Sequence, residues 1–160
     1  MPKIIKAGDV FDDSWQLVAK DATEIPAGPV IVPLAMWQDA TAELAGRDQI
    51  GVWLDSDESP ALIADDVGTF AVIAINFPVF TDGRGFSYAR ELRERHKFGG
   101  EIRAIGNFMR DQLFYLKRCG FDAFAFSDES QLNDALESLC DFSNSYQAAT
   151  DQPLPLFRRR

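Results

Sequence analysis

Short apolar runs bounded by turn residues recur along the chain: Val30 to Leu34, Ile50 to Leu54, Phe70 to Ile75, Ile102 to Ile105 and Phe121 to Phe126. Runs of this length, apolar at successive rather than alternate positions, predict strands buried on both faces. Helical patterns fill the gaps between them. Ser59-Pro60 offers an N-cap followed by proline at the first helical position, so a helix is expected to start there with Leu62, Ile63 and Val67 as its apolar residues. Phe86, Ala89, Leu92 and His96 mark the next helix; Arg90 with Glu94 and Glu91 with Arg95 form i,i+4 pairs on its outer side, and Gly99-Gly100 stops it. A third runs from about Asn107 to Arg118, with Phe108, Met109, Leu113 and Leu116 inward and Gly120 at its end. The last has the clearest period, in Leu132, Ala135, Leu136, Leu139 and Cys140, with Ser127 or Asp128 as its cap.

Alternating strands and helices predict an α/β fold with a mainly parallel sheet joined by right-handed crossovers. Five such units are too few to close an eight-stranded barrel, which leaves an open doubly wound sheet or a partial barrel. Ile4 to Lys6 and Trp15 to Ala19, separated by Gly8-Asp9, are expected to form a short N-terminal hairpin. Residues 1–150 read as one domain, and residues 151–160 as a proline-broken tail that cannot extend the preceding helix.

Composition sharpens this picture at one place. The chain of 160 residues carries a net charge of −9, yet residues 81–120 hold nine Lys or Arg against five Asp or Glu, a local excess of +4. The flanks are acidic, at −9 over residues 1–80 and −4 over residues 121–160. Nucleic acid is therefore not an expected partner, since binding it needs a broad basic surface. The N-terminus lacks the pattern of a secretory signal and no apolar run approaches membrane-spanning length, so a cytoplasmic protein with no membrane partner is expected. Two cysteines cannot supply the four thiolates of an iron–sulfur cluster, and one histidine argues against a catalytic zinc site; neither group is expected.

Parallel sheets present ligand sites beyond the carboxyl ends of their strands. That rule selects Asp55, Asp57, Asn76, Asp82, Arg84, Gly106, Asn107, Arg110, Ser127 and Asp128. The turn Asp82-Gly83-Arg84-Gly85-Phe86-Ser87 is the best candidate for an oxyanion or phosphate: Gly83 and Gly85 let backbone approach, Arg84 offers a planar fork, and Ser87 joins the free amides of a helix start. The plainer alternative is an ordinary turn with Ser87 as a cap. Arg103 sits inside a predicted buried strand and needs a partner, either a carboxylate from Asp82, Glu91 or Asp111 or a bound anion. Asp55 and Asp57 suit a helix start better than a metal. His96 is expected to pack at a helix end and Cys140 to be a core thiol, with Cys119 the more ambiguous of the two.

The words Phe80-Thr81-Asp82-Gly83-Arg84-Gly85-Phe86-Ser87, Leu92-Arg93, Ile102-Arg103-Ala104-Ile105-Gly106, Arg110-Asp111-Gln112-Leu113 and Arg118-Cys119-Gly120-Phe121-Asp122-Ala123-Phe124 resemble a family of uncharacterised bacterial proteins, a domain of unknown function. Its usual description is an oxidoreductase involved in sulfite reduction, a label that reflects association with genes for sulfite reductase and sulfate assimilation. The resemblance implies an accessory role in reducing sulfite, with sulfite reductase components as partners. Six electrons must pass in that reaction, and the chain shows neither cluster ligands nor a dinucleotide fingerprint. A partner or anion-binding subunit is thus the expected role. The alternatives are a small flavin-, nucleotide- or oxyanion-binding enzyme, and an interaction scaffold docking through residues 153–160.

Overall fold

The structure, a computed structural model, describes residues 2–159; Met1 and Arg160, the last residue of the expected tail, lie outside it. Eight strands form one sheet: β1 (Lys3–Lys6), β2 (Asp9–Asp12), β3 (Gln16–Leu17), β4 (Val30–Pro33), β5 (Ile50–Leu54), β6 (Val72–Phe77), β7 (Glu101–Gly106) and β8 (Ala123–Phe124). Their order is β2-β1-β8-β7-β6-β5-β4-β3, parallel from β3 to β8, with β1 antiparallel to both β2 and β8. The helices are α1 (Leu34–Asp39), α2 (Thr41–Leu44), α3 (Arg84–Glu94), α4 (Leu113–Cys119) and α5 (Leu132–Ser138).

Each parallel strand pairs with its neighbour in sequence, so the sheet never reverses direction as a doubly wound one must. Crossovers of one hand then put every helix on the same face. Ile73, Ile75, Ile102 and Phe124 meet Trp37, Leu92, Leu116 and Leu132 there in one large core. Of the two expected architectures, the partial barrel is the one adopted: an eight-stranded curled half-barrel.

The opposite face carries Ile31, Trp53, Val72, Ala74 and Ile105, and among the described residues no helix covers them. The chain itself covers them. The hairpin partner of β1 is β2, through the turn at Ala7-Gly8, and not Trp15 to Ala19. Residues 13–20 instead leave the β2 edge, cross this face and pair as β3 at the far edge. Trp15 packs on the apolar cluster, and the Trp53 indole donates to the Val18 carbonyl at 2.8 Å. Apolar side chains that would otherwise face water account for the route of this strap.

Three other expectations change for local reasons. The helix at Ser59 is a 3-10 turn, Pro60–Ile63, capped by Ser59 as expected, and Leu62 faces solvent. Met109 is exposed because the helical segment opens with a 3-10 turn, Arg110–Gln112, that rotates it outward. Cys140 falls just past the end of α5 and is exposed, whereas Cys119 is the buried thiol. Asp128, of the two candidates, caps the turn before α5.

Candidate functional site

At the carboxyl ends of β5 and β6 the sequence-selected residues do gather. Asn76, the penultimate residue of β6, donates to Asp55 Oδ1 at 2.9 Å, and Lys20 from the strap reaches Asp55 Oδ2 at 2.6 Å. Burial pushes the Asp55 carboxyl up, but hydrogen bonds from Lys20, Asn76 and the Ser56 amide outweigh it and hold the group below the usual carboxylate range. Next to it, Ser56 is buried; its hydroxyl accepts from Arg84 at 2.9 Å and its carbonyl accepts from the Tyr88 hydroxyl at 2.8 Å.

Arg84 is the first residue of α3, and its fork turns back onto Asp82. Nε donates to Oδ1 at 2.9 Å and Nη2 to Oδ2 at 2.6 Å, while the Arg84 amide also points at Oδ1. These bonds hold the Asp82 carboxyl far below its ordinary range. The two glycines of the turn have different work. A Cβ on Gly85 would lie 2.7 Å from the Phe77 ring, so its bareness lets α3 settle on β6; Gly83 is open, with only the Phe86 ring at 4.0 Å. Ser87 is exposed on the first turn of α3.

Arg103 lies on β7 in the sheet interior, between β6 and β8. Its partners are not Asp82, Glu91 or Asp111. Nε donates to Glu101 Oε1 and Nη1 to Asp13 Oδ2, both at 2.7 Å, and Lys6 closes the chain at 2.7 Å from Glu101 Oε2. All of these lie on the face covered by the strap, where Arg103 is 3% exposed. The four charges cancel, which is the condition for burying a guanidinium.

The other candidates stand apart from this network. Gly106 has φ +90, and a Cβ there would meet Asn76 Oδ1 at 2.4 Å and the Phe77 carbonyl at 2.5 Å; only glycine fits. Asn107 donates to the Pro78 carbonyl at 2.9 Å, and Arg110 lies 3.3 Å from Asp134. Together with Phe80, Met109 and Ser127 they line a groove of about 540 Å³ beyond β7 and β8. Asp57 is exposed, and the described residues contain no group of three or more His, Cys, Asp or Glu able to hold a metal. His96 Nε2 is 3.5 Å from Glu91 Oε1 at the end of α3.

Sequence reasoning missed Lys20, Ser56 and Tyr88 at this site, and Asp13 and Glu101 as the partners of Arg103. It also missed a larger cavity at the opposite end of the sheet, of about 790 Å³, between the ends of α3, α4 and α5 and the C-terminal segment. Lys97 and Lys117 line it. Lys117 had a signal: no acidic residue stands three or four positions from it on either side.

The carboxyl-end cluster is a set of mutually satisfied hydrogen bonds on a singly wound α/β half-barrel, with no free base beside a free nucleophile. Residues 51–157, two thirds of the chain, match the family model described as a bacterial protein of unknown function (DUF934), and the chain belongs to that family. No curated protein and no solved structure matches it. The matched region begins inside β5, so the strap and Asp13, Lys20 and β1 to β4 precede it. Among the described residues no helix is long and apolar enough to cross a membrane.

Proposed function

We propose that the chain is an accessory protein of assimilatory sulfite reduction, working by contact with the reducing enzymes and carrying no metal redox centre of its own. The link to sulfite rests on the resemblance of the sequence words between Phe80 and Phe124. One observation supports the contact reading above others: beyond the carboxyl ends of the strands Asp55, Asn76, Asp82, Arg84 and Asn107 are already paired within the chain, while Val79, Phe80 and Met109 stand exposed beside them. Large apolar side chains held at the rim of a saturated polar surface suit a protein partner better than a reacting small molecule.

The test is a deletion strain grown on sulfate or on sulfide as its sulfur source. Slow growth on sulfate alone, restored by the wild type but not by a folded Phe80→Asp, Met109→Asp variant, is the expected result. Normal growth on sulfate removes the pathway, and full rescue by the variant removes this surface.

A second reading, a protein binding a flavin, nucleotide or oxyanion, draws support from Gly83 and Ser87, both exposed at the first turn of the 11-residue α3. Thermal shifts with flavin mononucleotide, phosphate and sulfite test it; no shift with any of the three ends it.

A further inference from the structure

The excess charge of residues 81–120 does not sit at the glycine turn. Each of the seven arginines in the block has an acidic partner: Arg84 with Asp82, Arg90 with Glu94, Arg93 with Asp122, Arg95 with Glu91, Arg103 with Asp13 and Glu101, Arg110 with Asp134, and Arg118 with Asp151. Lys97 and Lys117 are the two cations of the block with no such partner among the described residues, and both line the 790 Å³ cavity. The acids around them are engaged elsewhere, Glu94 with Arg90, Asp122 with Arg93 and Asp151 with Arg118.

Lysines at helix ends often serve the negative pole of the helix. Lys117 stands with Arg118 in the last turn of α4, and in the last turn of α3 that place is held by Arg93. Its guanidinium takes the carbonyls of Phe98 and Gly100 beyond α3 at 2.8 and 2.7 Å and that of Gly120 beyond α4 at 3.0 Å. Lys97 is also held at φ +53, a left-handed conformation that a side chain adopts at a cost, although Gly99 and Gly100 stand two and three residues further on. Phe121, Phe124, Leu136 and Leu139 supply an apolar part of the wall, with Thr150 and Cys140 beside them. A cavity of this size with apolar walls and a few convergent charges is the usual form of a small-molecule site.

We propose that this cavity binds a small organic anion with an apolar body, whose anionic end meets Lys97 and Lys117 while its body packs on Phe121, Phe124 and Leu139. The proposal goes beyond the contact reading and stands independently of it, since the cavity lies at the amino ends of the parallel strands. Anilinonaphthalene sulfonate and its uncharged counterpart, N-phenylnaphthylamine, share an apolar body and differ in the anion. Fluorescence titration of the sulfonate is expected to show one saturable site per chain. The pair Lys97→Gly, Lys117→Met should weaken the sulfonate by about tenfold or more, the scale of one charge-assisted hydrogen bond, and leave the uncharged probe unchanged.

Cys140 lines the same cavity and is exposed, so its alkylation by iodoacetamide reports location on the unaltered protein. Saturating sulfonate should slow that alkylation. Equal sulfonate affinity in the double variant overturns the role of the lysines, and unprotected Cys140 overturns the site. The Phe80→Asp, Met109→Asp variant should bind the sulfonate as the wild type does, which separates this test from that of the docking surface.

Discussion

The carboxyl ends of β5 and β6 and the cavity beyond α3 and α4 both carry cations of the basic block, joined at the first end by Lys20 of the strap, but the chain treats the two ends in opposite ways. At the first, Arg84 spends its fork on Asp82 and Ser56, and Asp55 is held by Lys20 and Asn76. At the second, Lys97 and Lys117 face a cavity with no acid assigned to them among the described residues. A charge count along the sequence cannot tell these cases apart. What distinguishes them is the supply of acceptors: Asp82 and Asp55 stand beside Arg84 and Lys20, whereas the acids near Lys97 and Lys117 are already held by arginines.

The comparison can be broken by asking which charges the fold depends on. Asp13→Ala leaves Arg103 short of a partner under the strap and is expected to cost about 3 kcal/mol in urea unfolding, because an uncompensated buried guanidinium is severely disfavoured. Gly106→Ala should cost about 2 to 3 kcal/mol, from a strained φ and a Cβ driven into Asn76 and the Phe77 carbonyl. Gly99→Ala, near the cavity end, meets nothing within 4 Å and should change stability by less than about 1 kcal/mol.

A pH series sharpens the same contrast. Asp82, through its bonds from Arg84, and Asp55, through the bonds that outweigh its burial, both have folded values below their unfolded ones. In acid the unfolded chain therefore binds more protons. Their contribution is fully present above about pH 4 and is lost as the pH falls through the folded values, so the urea midpoint should drop in that window, less steeply in Asp55→Asn. The smallest effect belongs to the cavity: Lys117→Met should leave stability within about 0.5 kcal/mol, having no partner to strand. Thiol accessibility gives a parallel check. Burial pushes the Cys119 thiol up, so iodoacetamide at neutral pH should label Cys140 and spare Cys119.

Much of the helix-facing half of the molecule was legible in advance. The runs at Val30, Ile50, Phe70 and Ile102 became β4 to β7, and the stripes in α3 and α5 face the core, because apolar periodicity records which side of an element is buried. The other face was not legible. Its cover is a strap with no regular period, and the partner of Arg103 lies 90 residues away. The single winding could not be read either, since it depends on which strands pair. At the candidate site, the selection of Asp55, Asn76, Asp82 and Arg84 followed from their positions after strands, and these residues do meet through Ser56 and Tyr88. Cys140 faces outward because α5 stops at Ser138, two residues before the helical spacing would have carried the thiol inward.

The pairing of β1 with β8 sets a condition on how the molecule comes together. Ile5 lies opposite Phe124, so a strand near the start of the chain completes its hydrogen bonds only after the last parallel strand exists. During synthesis the hairpin β1-β2 and the strap are made first, yet the surfaces they close are made last. Closing a loop of that span slows folding, and an unpaired hairpin with an exposed edge invites association with other chains while it waits. The half-barrel is therefore completed at β8, and a chain interrupted before residue 123 leaves the β7 edge and the β1 edge unpaired.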